Sequence, residues 1–274
     1  MRGTLLHMGM NSTRRKLAIS SWSSPREGNI YGKLTLDASQ ALAYLEALRE
    51  RSGEKITLTH FVGKAVAMAL AASPGLNGYI RFGTFHHHDS VNITYLVALE
   101  GGSDLAKVKV DNADQKTLQA IAGELRAAAS KVRGGKDADF EKAKGMIKMM
   151  PTFLLRPLLW FTGLFASSFG WEVKALGVTP FPFGSCIITS VGMFGLDEGY
   201  APPTPFARVP LYVLIGALRD KPAAVDGEVV IRPELTLTAT IDHRFMDGAQ
   251  GAVLARVMRD IFNNPQQLDE IAQA

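Results

Sequence analysis

A chain of 274 residues is long enough to bury a substantial core, as one large domain or two small ones. Its 47% hydrophobic and 20% charged residues are ordinary for a globular protein. A net charge of +4, without a dense Lys/Arg stripe interleaved with aromatics, argues against nucleic-acid binding. The single cysteine, Cys186, excludes an intramolecular disulfide framework and a cysteine-based zinc cluster. Its apolar neighbours Ile187 and Ile188 mark it as a buried strand residue rather than a nucleophile. The apolar run in residues 1–7 is too short for a signal peptide, so a reducing, cytoplasmic setting is expected.

Residues 1–13 read as a loose arm, and ordered structure is expected from Arg14-Arg15-Lys16-Leu17-Ala18 onward. Tyr31-Gly32-Lys33-Leu34-Thr35-Leu36 reads as a strand. Asp37 is then the expected N-cap of a helix, with Gln40 at the capping-box position, Ala41, Leu45 and Leu48 on its buried stripe, and Gly53 as its stop. A second helix over residues 58–72 carries Phe61, Val62, Ala65, Val66, Ala69 and Leu70 at helical spacing and ends before Pro74. The turn Pro74-Gly75-Leu76-Asn77 leads towards a strand over residues 91–99. Between them His86-His87-His88-Asp89 invites a metal reading. Consecutive side chains on an extended chain alternate in direction, however, and no second ligand cluster exists, so a surface or turn cluster is expected and no metal. An extended piece over residues 106–110 leads to Asp114, the expected cap of a helix carrying Leu118, Ile121, Leu125 and Val132, which Gly134-Gly135 closes.

From Met149 to Trp171 the only charged residue is Arg156. The length approaches that of a membrane span, but Arg156, Pro151 and Pro157 fall in its first third, and Gly163 and Gly170 follow, which disfavours a span. Three readings remain. The favoured one is a core or subunit-interface element; the others are a tunnel lining for a long acyl chain, and an apolar-faced helix resting on a membrane surface. Residues 184–190 and 209–218 then read as buried strands, and Asp226-Gly227 as a hairpin turn between Ala223-Ala224-Val225 and Glu228-Val229-Val230-Ile231.

The last strand pattern, over residues 235–241, runs into Asp242-His243-Arg244-Phe245-Met246-Asp247-Gly248, and a helical pattern follows from 249 to about 262. Asp247 is a natural N-cap with Gln250 completing a capping box, and Gly248 is expected to let the backbone turn tightly. His243 is then expected at the strand end beside the positive end of a helix.

The pattern His-x-x-x-Asp-Gly, with Asp-His-Arg at its start, resembles the signature of the CoA-dependent acyltransferases. These comprise the catalytic domains of the dihydrolipoamide acyltransferases of 2-oxo acid dehydrogenase complexes, and chloramphenicol acetyltransferase. Ser190-Val191-Gly192-Met193-Phe194-Gly195 is similar to a second stretch of the dehydrogenase-complex enzymes, and Arg14-Arg15 to the basic pair that opens their catalytic domain. Ile19-Ser20-Ser21-Trp22 and the stretches at about 140–180 and 196–210 depart from their pattern. The resemblance spans most of residues 14–265.

It implies a two-layer α/β sandwich with a mixed sheet, of the chloramphenicol acetyltransferase kind. Residues 14–274 would form one catalytic domain carrying an apolar insertion at about 140–180, with no lipoyl domain or covalent lipoyl site. The implied activity is acyl transfer between coenzyme A and a thiol, amine or alcohol acceptor, in at least a homotrimer with its site between subunits. His243 is the credible general base, since an ordinary imidazole titrates near neutrality. The resemblance assigns Ser190, with Thr189 as the alternative, to holding the oxyanion. Asp247 would hold the loop through Arg14 or Arg15, and no acyl-enzyme is implied. Two other readings stay open: a catalytically silent scaffold of the same fold, and a membrane-surface or lipid-acyl binding protein using residues 149–171.

Overall fold

The computed structural model describes residues 28–99, 104–133, 145, 149–172 and 178–270; Arg14, Arg15 and Gly134-Gly135 lie outside them. In chain order the elements are β1 (Asn29–Asp37), α1 (Ser39–Ser52), α2 (Leu58–Ala71), a 3-10 turn (Pro74–Leu76), β2 (Gly78–Arg81), β3 (Thr84–His87), β4 (Ile93–Leu99), β5 (Asp104–Val110) and α3 (Leu118–Arg133). Then come α4 (Thr152–Thr162), a π-helical turn (Gly163–Ser168), β6 (Cys186–Ser190), β7 (Leu211–Val225), β8 (Glu228–Asp242), α5 (Gly248–Asn263) and the short α6 (Gln267–Glu270).

Six strands form one mixed sheet in the order β1-β8-β7-β6-β4-β5, in which β6 runs parallel to both β4 and β7. The parallel pairs need long crossovers, and the chain between β4 and β6 supplies one that carries α3 and α4. Alternate strand residues Ile93, Tyr95, Ile188, Val213, Ile215 and Leu237 face a layer built from α1, α2, α3 and α5, and form one core with them. The architecture is thus the two-layer α/β sandwich implied by the motifs. The opposite face holds a smaller cluster around Ile187, Val209 and Tyr212. There the loop over residues 196–210 lies back on the sheet, where Thr238 donates to Gly199 O and Tyr31 meets Tyr200 edge-on.

Local chemistry explains most element ends. Gly53 stops α1 in the left-handed region, at φ 66°. The turn between β7 and β8 takes Asp226 and Gly227 to positive φ, as a two-residue hairpin requires. Two expected caps are corrected. The Asp37 carboxylate does accept from Ser39 N at 2.8 Å, but Ala38 holds the cap position and no side chain caps α1. Thr117, not Asp114, begins α3, its hydroxyl accepting from Ala120 N at 3.1 Å. Asp114 lies three residues before that cap, and its carbonyl accepts from the buried Lys64 ammonium of α2 at 2.5 Å. Desolvation lowers the Lys64 pKa, and the Asp114 charge partly offsets it.

The stretch 149–171 meets the interior along one stripe only, containing Leu155, Gly163 and Ala166, while Phe153 and Trp160 on the other side are 75% and 52% exposed. No helix among the described residues is long and apolar enough to cross a membrane.

Tyr95 is buried against α2, and its hydroxyl has no hydrogen-bond partner among the described residues. A methyl group at Gly63 would collide with that hydroxyl. Urea denaturation should therefore find Gly63→Ala destabilised by about 1–3 kcal/mol through overpacking. Tyr95→Phe should be neutral or stabilising and should relieve part of that loss, since it removes an unsatisfied polar group. A large loss in Tyr95→Phe alone would contradict this packing.

Candidate active site

The His243 turn is built where β8 ends and α5 begins. Asp242 is the last residue of β8, paired with Asn29 at the start of β1. The chain reverses there through Phe245 N donating to Asp242 O at 3.0 Å. Arg244 folds back on Asp242, Nη2 to Oδ2 at 2.5 Å and Nε to Oδ1 at 3.0 Å, clamping the turn on either side of His243. His243 N donates to Gly28 O at 3.2 Å, and its side chain is exposed. Among the described residues none hydrogen-bonds its ring nitrogens. His243 is thus an exposed imidazole, without a partner among the described residues, on a backbone held at two points.

Asp247 caps α5 as its position in the sequence indicates. Its Oδ1 accepts from Ala249 N at 2.9 Å and Gln250 N at 3.1 Å, and Gln250 Oε1 accepts from Asp247 N at 2.9 Å. The loop is also fixed from beneath. Met246 and Phe245 are buried, and the Phe245 ring meets Phe85 of β3 edge-on at 5.9 Å. Gly75 packs so closely that an added Cβ would come within 2.7 Å of Gln250 Nε2, which ties the Pro74–Leu76 turn to the motif. One expectation is corrected here: Gly248 has no positive φ, and a Cβ on it would meet nothing within 4 Å. The tight turn is made by residues 242–245, and Gly248 leaves open space instead. The proposed partners of Asp247, Arg14 and Arg15, lie outside the described residues.

Ser190 and Thr189 end β6, and their side chains point to opposite faces of the sheet. Ser190 shares the helix-facing side with Ile188 and lines a cavity of about 390 Å³ with Thr57, His60, Tyr95, Arg126 and Met193. His60 completes an unusual capping box at the start of α2, its Nδ1 accepting from Thr57 N at 3.2 Å. Burial, with Arg126 and Arg49 nearby, pushes the His60 imidazole down to about 4, so it stays neutral. Sequence reasoning missed this cavity wall. The signal was Thr57-x-x-His60, a cap pattern with His in place of the usual Glu or Gln. Cys186 is fully buried, and desolvation raises its thiol pKa, so it is no nucleophile.

The sheet register keeps Ser190 away from His243. Ser190 stands level with Ile215 of β7, and Ile215 with Leu237 of β8. His243 lies six residues beyond Leu237. At ~3.3 Å per residue this is roughly 20 Å along the strands, before two strand spacings across the sheet are added. Within one chain the structure brings His243, Asp247 and Gly248 together and leaves Ser190 and Thr189 at the far end. The His86-His87-His88 run is also dispersed: His86 and His88 pack on Tyr79, and His87 on Phe85. Among the described residues no group of three or more His, Cys, Asp or Glu could hold a metal ion.

A mixed six-stranded sheet under one helical layer, with a His-x-x-x-Asp-Gly turn at a strand end, defines the CoA-dependent acyltransferase class of fold. It matches the solved structure described as a probable dihydrolipoamide acetyltransferase from Listeria monocytogenes 4b F2365 with a TM-score of 0.66 and 19% identity, covering 97% of this chain and 95% of that one. It also matches chloramphenicol acetyltransferase, with a TM-score of 0.50 and 12% identity over 92% of this chain and 95% of that one. The chain belongs to the family of 2-oxoacid dehydrogenases acyltransferases (catalytic domain), whose model matches residues 10–148 and 174–269. Residues 149–173, which hold α4 and the π-helical turn, lie between the matched stretches. The dihydrolipoyllysine-residue acetyltransferase component of the acetoin cleaving system of Bacillus subtilis (strain 168) is 29% identical over 221 residues, covering 80% of this chain and 44% of that protein. The chain therefore spans less than half the length of that relative.

The cap gives a direct test. Asp247→Ala should cost about 0.5–2 kcal/mol in thermal or urea unfolding, while Asp247→Asn should retain most of the stability. Equal losses in the two variants would show that the carboxylate charge, not the hydrogen-bonded cap, holds the turn.

Proposed function

We propose that the chain is an acyltransferase catalytic domain that moves an acyl group between coenzyme A and a thiol, amine or alcohol acceptor. His243 acts as general base and Ser190 donates to the tetrahedral oxyanion. The observation that carries the reading is the His243-Arg244-Phe245-Met246-Asp247-Gly248 turn, clamped by Asp242–Arg244 and by the Asp247 cap, with an imidazole left exposed and unpartnered among the described residues. Membership of the acyltransferase family supports the reaction class. Asp247 acts by holding the loop, and Arg14 or Arg15 is the proposed counter-ion. Residues 14–274 form the catalytic domain and residues 1–13 its arm.

Direct transfer suits these residues. The base removes the proton of the acceptor as it attacks the thioester carbonyl. The oxyanion collapses with loss of CoA as its thiolate, which takes up a proton. Among the described residues none beside His243 is an activated nucleophile, and direct transfer needs no acyl-enzyme step. The ~20 Å between Ser190 and His243 along the strands supports a site shared by two copies, and a homotrimer is the proposed assembly. Thr189, on the other face of β6, is the weaker oxyanion candidate because Ser190 lines the cavity. A cytoplasmic setting is proposed with it, in keeping with one buried, reduced cysteine.

The test is CoA-thiol release from a panel of short- to long-chain acyl-CoAs with amine and alcohol acceptors, with dihydrolipoamide transfer followed by mass spectrometry. His243→Ala should lower turnover by about 10²–10⁴-fold. Ser190→Ala should lower it by about 10²–10³-fold, with oligomeric state unchanged in both. Equal, negligible rates in wild type and His243→Ala, with no CoA binding, would overturn the acyltransferase reading in favour of a silent scaffold.

A further inference from the structure

Ser190 shares its cavity with a second hydrogen-bond donor that reaches no partner. Strands β4 and β6 run parallel, with Tyr95 level with Ile188 and Leu96 level with Thr189. The cavity lies between their C-terminal ends and the start of α2, which contributes Thr57, Thr59 and His60. In α/β sheets the carboxyl ends of parallel strands are where ligands bind.

His60 is oriented by its own helix. It stands three residues after the Thr57 cap, and its Nδ1 accepts from Thr57 N at 3.2 Å. A neutral imidazole carries one ring proton, so that bond places the proton on Nε2. Burial, with Arg126 and Arg49 nearby, holds the imidazole at about 4 and keeps the ring neutral. Among the described residues Nε2–H has no acceptor, and the Ser190 hydroxyl has no partner either. Neither atom is sealed from solvent. An ordinary capping box carries Glu or Gln at this position, so the cap alone does not call for an imidazole. Arg126 in the same wall is paired with Glu54 at 2.6 Å, which leaves neutral donors and the positive end of α2 to meet a bound oxygen. Such a setting suits an oxygen that becomes charged only during reaction.

We propose that His60 is a second oxyanion donor of the acyl-transfer site, acting with Ser190 on one carbonyl oxygen. The inference rests on the acyl-transfer reading and adds to it a residue outside the His243 turn and the end of β6. As the acceptor attacks the thioester carbon and gives its proton to His243, the carbonyl π pair moves onto oxygen. There it receives hydrogen bonds from His60 Nε2–H and Ser190 Oγ–H, and both donors keep their protons. The pair returns when the carbonyl re-forms and the CoA thiolate leaves.

Two variants of the full chain separate the cap from the donor. His60→Glu can still accept from Thr57 N but has no proton to give as a carboxylate, whereas His60→Gln keeps both an acceptor and a donor. Both should melt as wild type does by circular dichroism. With acetyl-CoA and the rest of the acyl-CoA panel, His60→Glu should lower kcat by about 10²–10³-fold with KM little changed. His60→Gln should recover most of that loss. In nitrogen-labelled histidine spectra at pH 7, the His60 signal, assigned by its absence in His60→Gln, should show the Nε2–H tautomer and should shift when acetyl-CoA is added.

A cationic or Nδ1–H imidazole would overturn the proposal whatever the activity. So would wild-type kcat in His60→Glu. A loss confined to KM would overturn it too, because His60 would then serve with the exposed Lys55 of the same cavity in holding a standing anion such as a CoA phosphate. If wild type turns over no acyl-CoA, the acyl-transfer reading itself fails and this inference fails with it, whereas turnover that survives in His60→Glu removes this inference alone.

Discussion

The register that links Cys186 through Leu211 to Ile241, and Ser190 through Ile215 to Leu237, decides where chemistry can happen in this molecule. Hydrogen-bonded strands cannot slide without turning every buried side chain outward, so the ends of β6 and β8 are held apart as firmly as the core itself. One end carries an exposed imidazole and the other a hydroxyl over a cavity. On the proposed reading His243 is the base and Ser190 the oxyanion donor, and that separation is the reason the proposed site draws on two copies.

The His243 end is rigid for reasons that are mostly local. Asp247 satisfies two of the free amides at the start of α5, Gln250 returns the bond to Asp247 N, and Arg244 clamps Asp242. Below this frame the contact of Phe245 with Phe85 and the close approach of Gly75 join the turn to the helical layer's side of the core. Held this way, His243 keeps its direction without giving up a ring nitrogen. The Gly248 position, open above its Cα, leaves room beside it for a ligand or a neighbouring copy.

What was legible in the sequence follows the range of the interactions. The Asp247-x-x-Gln250 cap, the Asp226-Gly227 hairpin and the buried stripe of α1 are local, and they stand where residue pattern puts them. Asp114 failed as a cap because the helix begins three residues further on, where Thr117 takes the cap, and its carbonyl meets instead a lysine 50 positions earlier, a contact that no local pattern announces. Gly248 looked like a turn residue until the turn proved to be made upstream. The sheet order was illegible for the same reason: it depends on which strands meet across long crossovers. Residues 149–171 showed their apolar content plainly, but which stripe is anchored depends on Phe206 and Phe181, far along the chain.

Mixing inactive copies tests the central claim most directly. Chains carrying His243→Ala and chains carrying Ser190→Ala, each inactive alone, would be co-refolded or co-expressed at equal amounts and assayed for CoA-thiol release. If Ser190 and His243 serve one site from two copies, the mixture regains roughly a quarter of wild-type turnover, the share of interfaces that combine an intact serine with an intact histidine. A mixture that assembles fully yet stays as inactive as its parents would contradict the shared site.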